Sequence, residues 1–443
     1  MIGSSCYLLE HYACGKRRYR RISAHALPAS FSIALAIAYA EQVIQASTKP
    51  KILIIGDAVV PSGFARVIRS IFEPLHTDYE LHQLATRYDG RPHDYPWALS
   101  AAGKGKSRYG YDQIVPLIEQ IQPAIVFLLY DIPFQVPYLE QLRKTKVQPK
   151  IVFYSPVESG PIAPEIMQRL GGLSRYVVFT EYGRREIESG LQIVRENDPA
   201  FQFPDLEVIP HGVATEKFFP LPDKAEARRK MRLDDAAHRD AFIVLNANRN
   251  MPRKRIDLTI HGFSLFAKDK PAQVKLYLHM ATEDTGWNVL ILAKRYGIFD
   301  RLIMTQADNS QPTFSDEQLN YLYNACDVGI TTTTGEGWGM PSFEHAATRA
   351  AQIVPRHTSL ADLWKDAAEF IDPVITLTYP GNLTHAHIVT PEGVAAALQR
   401  LYEDNPHHEK LGDAAYRTAT RPELSWRTIS SRWQRLFDEL LAE

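Results

Sequence analysis

Residues 331–347 read TTTTGEGWGMPSFEHAA and follow the short apolar run DVGIT. Pro341 suits the first turn of a helix, where its missing N–H has no partner to lose, and SFEHAATRA continues with helix-forming residues. A buried strand, a glycine-rich turn and a helix start, in that order, make one unit of a doubly wound parallel sheet. In such sheets ligands bind beyond the carboxyl ends of the strands, which is where this turn falls. Gly335, Gly337 and Gly339 permit close approach of the backbone, and amides at the positive end of a helix suit an anion. The same turn nevertheless carries Glu336 and, one helical turn further on, Glu344. A ligand with both phosphate oxygens and hydroxyl groups reconciles the two: amides donate to phosphate, and carboxylates accept from hydroxyls. A nucleotide sugar is such a ligand, with Glu336 set to hold the sugar and Glu344 the ribose. A plain helix cap with Trp338 in the core would account for Glu344, but for neither Glu336 nor three glycines.

Outward from this turn, apolar β-branched runs recur. KILIIG (51–56), AIVFLL, KIVFY, RYVVF and LEVIP form one series, and AFIVLNA (241–247), VKLYLH, RLIMT, DVGIT, AQIVP and EFID form a second. Continuous apolar runs mark strands buried on both faces. Between them lie helical patterns such as IDLTIHGFSLFAKD and DEQLNYLYNACD. The expected fold is therefore α/β, with two Rossmann-like doubly wound domains facing a cleft. The boundaries predicted are an N-terminal extension over 1–50, a first domain over 51–222, a charged linker over 223–240, a second domain over 241–422 and a C-terminal helix over 423–443.

The chain's 443 residues exceed one ordinary hydrophobic core. Its 50 basic and 51 acidic residues give no global attraction to nucleic acid or to an anionic membrane. Three cysteines with no Cys-x-x-Cys pair argue against a zinc or disulfide framework and fit a reducing cytoplasm. The segment GKRRYRRISAHALPASFSIALAIAYAEQ (15–42) runs from a basic cluster into a mildly apolar stretch broken by Pro28 and Ser30. It is read as an accessory helix or a start-site extension, with targeting or peripheral membrane contact as the alternative.

Two further loops lie at strand ends. DAVVPSGFARVIRSIF (57–72) turns at Pro61, Ser62 and Gly63 into a helix; it is not G-x-G-x-x-G, which weakens a nicotinamide dinucleotide reading. NRNMPRKRIDLTIHGF (248–263) sets Arg249 and Lys254 five apart, with Arg253 and Arg255 beside them. Cations at the mouth of a parallel sheet can neutralise a diphosphate, although a solvated basic turn is the plainer alternative.

Together, the tandem domains, Arg249 and Lys254, and GEGWGMPSFEHAA with its paired glutamates resemble the retaining glycosyltransferases of family 4, which have the GT-B fold. VIPHGVATEKFFP is similar to the end of their first domain, and ELSWRTISSRWQRLFDELL is similar to their last helix, which returns to that domain. The resemblance covers Lys51 to the C-terminus. It implies a diphosphate held by Arg249 and Lys254 beside Gly63, and a transferred sugar oriented by Glu336. It further implies sugar and phosphate contacts from the amides of Gly337, Trp338, Gly339 and Met340, a ribose on Glu344 and a nucleobase at the backbone near Thr305. Members work without a metal or other cofactor and retain anomeric configuration. The donor implied is a nucleotide-diphosphate hexose, UDP-glucose first and GDP-mannose second. The acceptor is left open among a glycan, a lipid-linked sugar, a small aglycone, a protein and modified nucleic acid, and so is the oligomeric state. A same-fold isomerase or phosphorylase, or a non-catalytic sugar-nucleotide-binding protein, stands as the alternative function.

Three positions depart from the family pattern. Where many members carry a histidine after the strand matching KIVFYSPVESG, this chain has Ser155, Pro156 and Val157. Asp131 and Glu158, at strand ends, become the acceptor-side candidates. Ala350 replaces a usual glycine, and His357, Thr358 and Ser359 replace a usual glycine pair on the donor-sugar side. His211 in PHGV is read as a buttress of the domain junction.

Overall fold

The computed structural model describes residues 7–9, 19–21, 49–306 and 308–443. The chain divides into a unit over Met1–Lys49 and a unit over Pro50–Glu443. In the first, β1 (Tyr7–Leu9) and β2 (Tyr19–Arg21) pair antiparallel. Apart from these strands and residues 49 and 50, the accessory helix or targeting segment expected within 1–50 lies outside the described residues.

The large unit holds two wholly parallel sheets. The first contains β3 (Lys51–Asp57), β4 (Glu80–Thr86), β5 (Ala98–Ala101), β6 (Ile125–Leu129), β7 (Lys150–Ser155), β8 (Arg175–Val178) and β9 (Asp205–Val208), in spatial order β5-β4-β3-β6-β7-β8-β9. The second contains β10 (Phe242–Asn246), β11 (Val274–Leu278), β12 (Leu302–Met304), β13 (Val328–Ile330), β14 (Ala351–Pro355) and β15 (Glu369–Ile371), in order β12-β11-β10-β13-β14-β15. Every strand expected from an apolar run forms. The two that were missed in the first sheet, ELHQLAT and ALSA, have no such run. Gln83 in the first of these is buried because its amide donates to Gly56 O and Asp57 O and accepts from Trp97 Nε1, so its polarity is satisfied inside the fold.

Each sheet reverses its winding direction once, between β3 and β6 and between β10 and β13. Such switch points open a crevice at the carboxyl edge. The loops that leave these four strands carry Gly63, Asp131, Lys254 and Glu336, so topology alone places them at crevices before any side chain is considered. A hairpin of β16 (Ile375–Thr378) and β17 (His385–Ile388) follows the second sheet and was not foreseen. Its Ile375 and Leu377 are exposed, so it lacks the buried apolar face that would have marked it.

The stretch 223–240 contains the helix Lys224–Lys230, which packs on the helix Asp316–Ala325. Arg228 from it is buried: it donates to the carbonyls of Ala325, Arg239 and Ala241 and pairs with Asp327. These charges are internal ties of the second domain.

The final helix, Trp426–Ala442, returns to the first sheet, as expected. Trp433 is fully buried, with its ring edge-on to Phe127 at 5.0 Å and to Tyr154 at 4.8 Å, and Phe437 stacks on Phe72 at 5.8 Å. Polar ties flank this seam: Ser430 Oγ donates to Ile71 O at 2.7 Å, and Tyr79 OH to Asp438 at 2.6 Å. Trp433→Ala removes a large buried ring and is expected to lower stability by about 3–5 kcal/mol, read as a shift of the denaturant midpoint. A chain ending at Arg421 is expected to lose stability as well as activity, read by thermal melting.

Candidate active site

The centre of the site is a short 3₁₀ turn, Pro252–Lys254, closed by Arg255 in the left-handed region at φ 47°. This geometry aims the neighbouring side chains of Arg253 and Lys254 at the loop 331–339. Lys254 is buried and its ammonium donates to Glu336. Arg253 donates to Gly335 O at 2.9 Å, lies 3.5 Å from the Glu336 carboxylate and pairs with Glu158 across the domain seam. The Arg253 carbonyl in turn accepts from Thr334 N at 2.9 Å. Burial alone would raise the Glu336 carboxyl, but Lys254 and Arg253 hold it below its ordinary value, so it is ionised.

Around that pair, the loop is locked by the helix Thr358–Leu363. Ser359 Oγ donates to the Glu336 carbonyl, Glu336 N donates to Thr358 Oγ1 at 3.3 Å, and His357 Nε2 meets Thr333 O at 3.0 Å. His357 is therefore buried and structural; burial, with His387 beside it, pushes its pKa down to about 4. A Cβ on Gly335 would overlap the Glu158 carbonyl, so only glycine lets the loop rest against the first domain. Gly339 takes φ 88° and starts the helix Met340–Ala346. The N–H groups of Gly337, Trp338 and Gly339 have no hydrogen-bond partner among the described residues, which leaves donors for a ligand. Trp338 is buried and stacks on Phe343 at 4.7 Å, with its other neighbour His211 at 5.7 Å. His211 binds Tyr154 OH at 2.8 Å, and burial pushes its pKa down to about 3. Its place is the packed domain junction.

From the first domain, Ser62 caps the helix Gly63–Phe72, and a Cβ on Gly63 would come within 3.6 Å of Met340 Sδ. The first loop and the Glu336 loop therefore face each other. Asp57 beneath them is fully buried and neutralised: it accepts from Ser62 Oγ at 2.7 Å, Thr86 Oγ1 at 2.6 Å and the Arg87 guanidinium.

Other expected residues sit differently. Arg249 does not join Lys254: its side chain is 52% exposed and pairs with Asp284 at 2.6 Å. The cation beside Lys254 is Arg253, which the five-residue spacing did not single out; the adjacent Pro252, which shapes the turn, was the signal available. Glu344 is buried with both oxygens taken, one by Arg66 of the first domain and one by Tyr323 OH at 2.9 Å. A ribose there would replace Arg66. Thr305 follows β12 at the edge of the second sheet, where its hydroxyl is tied to His279 Nδ1 at 2.8 Å and donates to Tyr277 OH at 3.1 Å. Ala350 is buried just before β14, so the small-residue packing at that position persists.

Asp131 and Glu158 are brought to the same centre. Glu158 and Glu336 both pair with Arg253, and Asp131 lies within electrostatic reach of Arg253 and Arg87. Burial raises both acceptor-side carboxyls, opposed chiefly by Arg253, and Glu158 reaches about 7. The Glu158 side chain is 36% exposed, and solvent tempers this upward shift.

No family model matches the chain. It is 30% identical over 120 residues to the serotype-specific mannosyltransferase WbdA of Escherichia coli, a match covering 26% of this chain and 14% of that protein. The chain spans about half or less of the curated relatives it matches. Among solved structures it superposes on sucrose-phosphate synthase of Thermosynechococcus elongatus with a TM-score of 0.67 at 15% identity, covering 89% of this chain and 99% of that one. It superposes on Anabaena Alr3699/HepE, determined with UDP and glucose, with a TM-score of 0.64 at 15% identity, covering 88% and 100%. Two parallel Rossmann-like sheets with a returning C-terminal helix are the GT-B fold. The likeness to mannosyltransferases is local, over 120 residues.

The Glu158 shift has a definite sign. A carboxyl that titrates at 4.5 when unfolded and near 7 when folded binds its proton more tightly in the folded state, so its contribution is full below pH 4.5 and is lost as pH rises towards 7. Glu158→Gln is expected to flatten this part of the stability profile, measured as denaturant midpoints at pH 5 and pH 7.5.

Proposed function

We propose that the protein transfers a hexose from a nucleotide-diphosphate sugar to a hydroxyl acceptor with retention of configuration and without a metal. The observation that carries this reading is the convergence of Lys254, Arg253, Glu336 and three unpartnered amides at facing switch points. In this reading the diphosphate takes up the amides of Gly337 to Met340 and draws on Lys254 and Arg253, whose charges stabilise the departing nucleotide. Glu336, released from its full share of Lys254, accepts from hydroxyls of the sugar. Gly63 leaves room for the diphosphate on the opposite side. Glu344 exchanges Arg66 for the ribose, and the backbone at Thr305 meets the base. Arg249 acts at the outer edge of the diphosphate once freed from Asp284. Closure of the seam excludes water that would hydrolyse the sugar. The acceptor hydroxyl approaches from the first domain, near Asp131 and Glu158, on the face from which the phosphate departs, and the departing phosphate assists in removing its proton.

The donor reading includes UDP-glucose and GDP-mannose. The local relatives are named as mannosyltransferases, whereas the similar Anabaena structure holds UDP and glucose. Thermal shift with a panel of nucleotide sugars separates the two, because the bound donor raises the melting temperature. Lys254→Met is expected to lower kcat/KM for the stabilising donor by about 10²–10³-fold, and Glu336→Gln to lower kcat with smaller loss of nucleotide binding. Stabilisation by no nucleotide sugar, or normal turnover in both variants, overturns the reading.

A further inference from the structure

Beside the Glu336 loop lies a cavity of about 480 Å³ that none of the donor contacts uses, a size typical of small-ligand pockets. One wall comes from the first domain, through Gly160, Tyr182 and Glu186. The other comes from the second, through Arg356, His357 and the hairpin residues His385 and His387. The hairpin is fastened across the seam at His385, whose N donates to Gly160 O at 2.6 Å and whose O accepts from Ser159 Oγ, and to its own domain by His387 N, which donates to Thr334 O at 3.0 Å. The hairpin thus completes a chamber that shares His357 and Thr358 with the loop locking Glu336.

The lining selects an uncharged, hydroxyl-rich ligand. Arg356 is held through its Nε by Asp372 at 2.8 Å and lies over Phe370, so its charge is partly offset by a carboxylate outside the chamber. Burial lowers the pKa of His357 and of His387, so both rings are neutral near pH 7. The Glu186 carboxylate lies over Gly160, where a Cβ would overlap it, and raises the pKa of Tyr182 together with burial. A carboxylate with neutral imidazoles repels phosphate but can accept from and donate to hydroxyls. His387 Nδ1 contacts Thr376 Oγ1 at 3.0 Å, which leaves its Nε2 for a ligand. The rings of His357 and His387 stack at 5.0 Å and brace that orientation.

We propose that this chamber is a saccharide subsite, holding a sugar unit of a glycan acceptor whose reacting unit sits near Glu158. The proposal rests on the transferase reading and makes the acceptor an oligosaccharide. Saturation-transfer NMR on the full chain, with maltotriose and an α-linked mannotriose as probes and inorganic phosphate as the anionic arm, tests it. At least one trisaccharide is expected to bind. Glu186→Gln and His387→Asn, checked for unchanged melting, are each expected to weaken it at least tenfold, with nucleotide-sugar stabilisation unchanged. Binding of neither trisaccharide, equal binding in both variants, or phosphate competing for the same resonances overturns the subsite. Loss of nucleotide-sugar binding in the unaltered protein overturns the transferase reading instead, and the saccharide signal is read independently of it.

Discussion

The buried pair Lys254 and Glu336, extended by the half-buried pair Arg253 and Glu158, organises this protein. Ions taken out of water are costly unless each has a well-placed partner, and here the partners come from a turn of the second domain, the glycine-rich loop and a strand end of the first domain. Losing Lys254 or Glu336 leaves a buried charge without its closest partner. The cluster therefore ties the facing edges of the two sheets together at the point where both reverse direction. It also holds charge ready for redistribution, because Glu158 and Glu336 share Arg253.

The same logic recurs along the seam. Arg66 reaches from the first domain to Glu344, and the final helix lays Trp433 and Phe437 on the first sheet. The polar links can exchange partners with a ligand, whereas the buried aromatic contacts of the final helix tie it to the first sheet. A ligand that binds between sheets needs both: a stable hinge and exchangeable charges at the mouth. Among the described residues no helix is long and apolar enough to cross a membrane.

Much of this was legible in the chain. Strands buried on both faces announce themselves as apolar runs, so the two sheets, the returning helix and the Glu336 turn could be read directly. β4, β5 and the hairpin could not, because their side chains are satisfied by partners far away in sequence or remain exposed. Lys254 and Glu336 followed from residue type and position at strand ends. The substitution of Arg253 for Arg249 as the neighbouring cation did not, since a 3₁₀ turn decides which of several adjacent arginines faces inward.

The sequence by itself determined the alternation of strand and helix, and with it two doubly wound sheets whose switch points present glycine, lysine and glutamate. These are local properties of periodicity and of residue chemistry. Only the tertiary structure decided which charges meet: Arg253 with Glu158, Arg66 with Glu344, and Arg249 outward with Asp284. It alone assembled the chamber between Tyr182 and the hairpin histidines. Such pairings depend on the apposition of segments some 35 to 280 residues apart, and no periodicity in the chain encodes the distance between them.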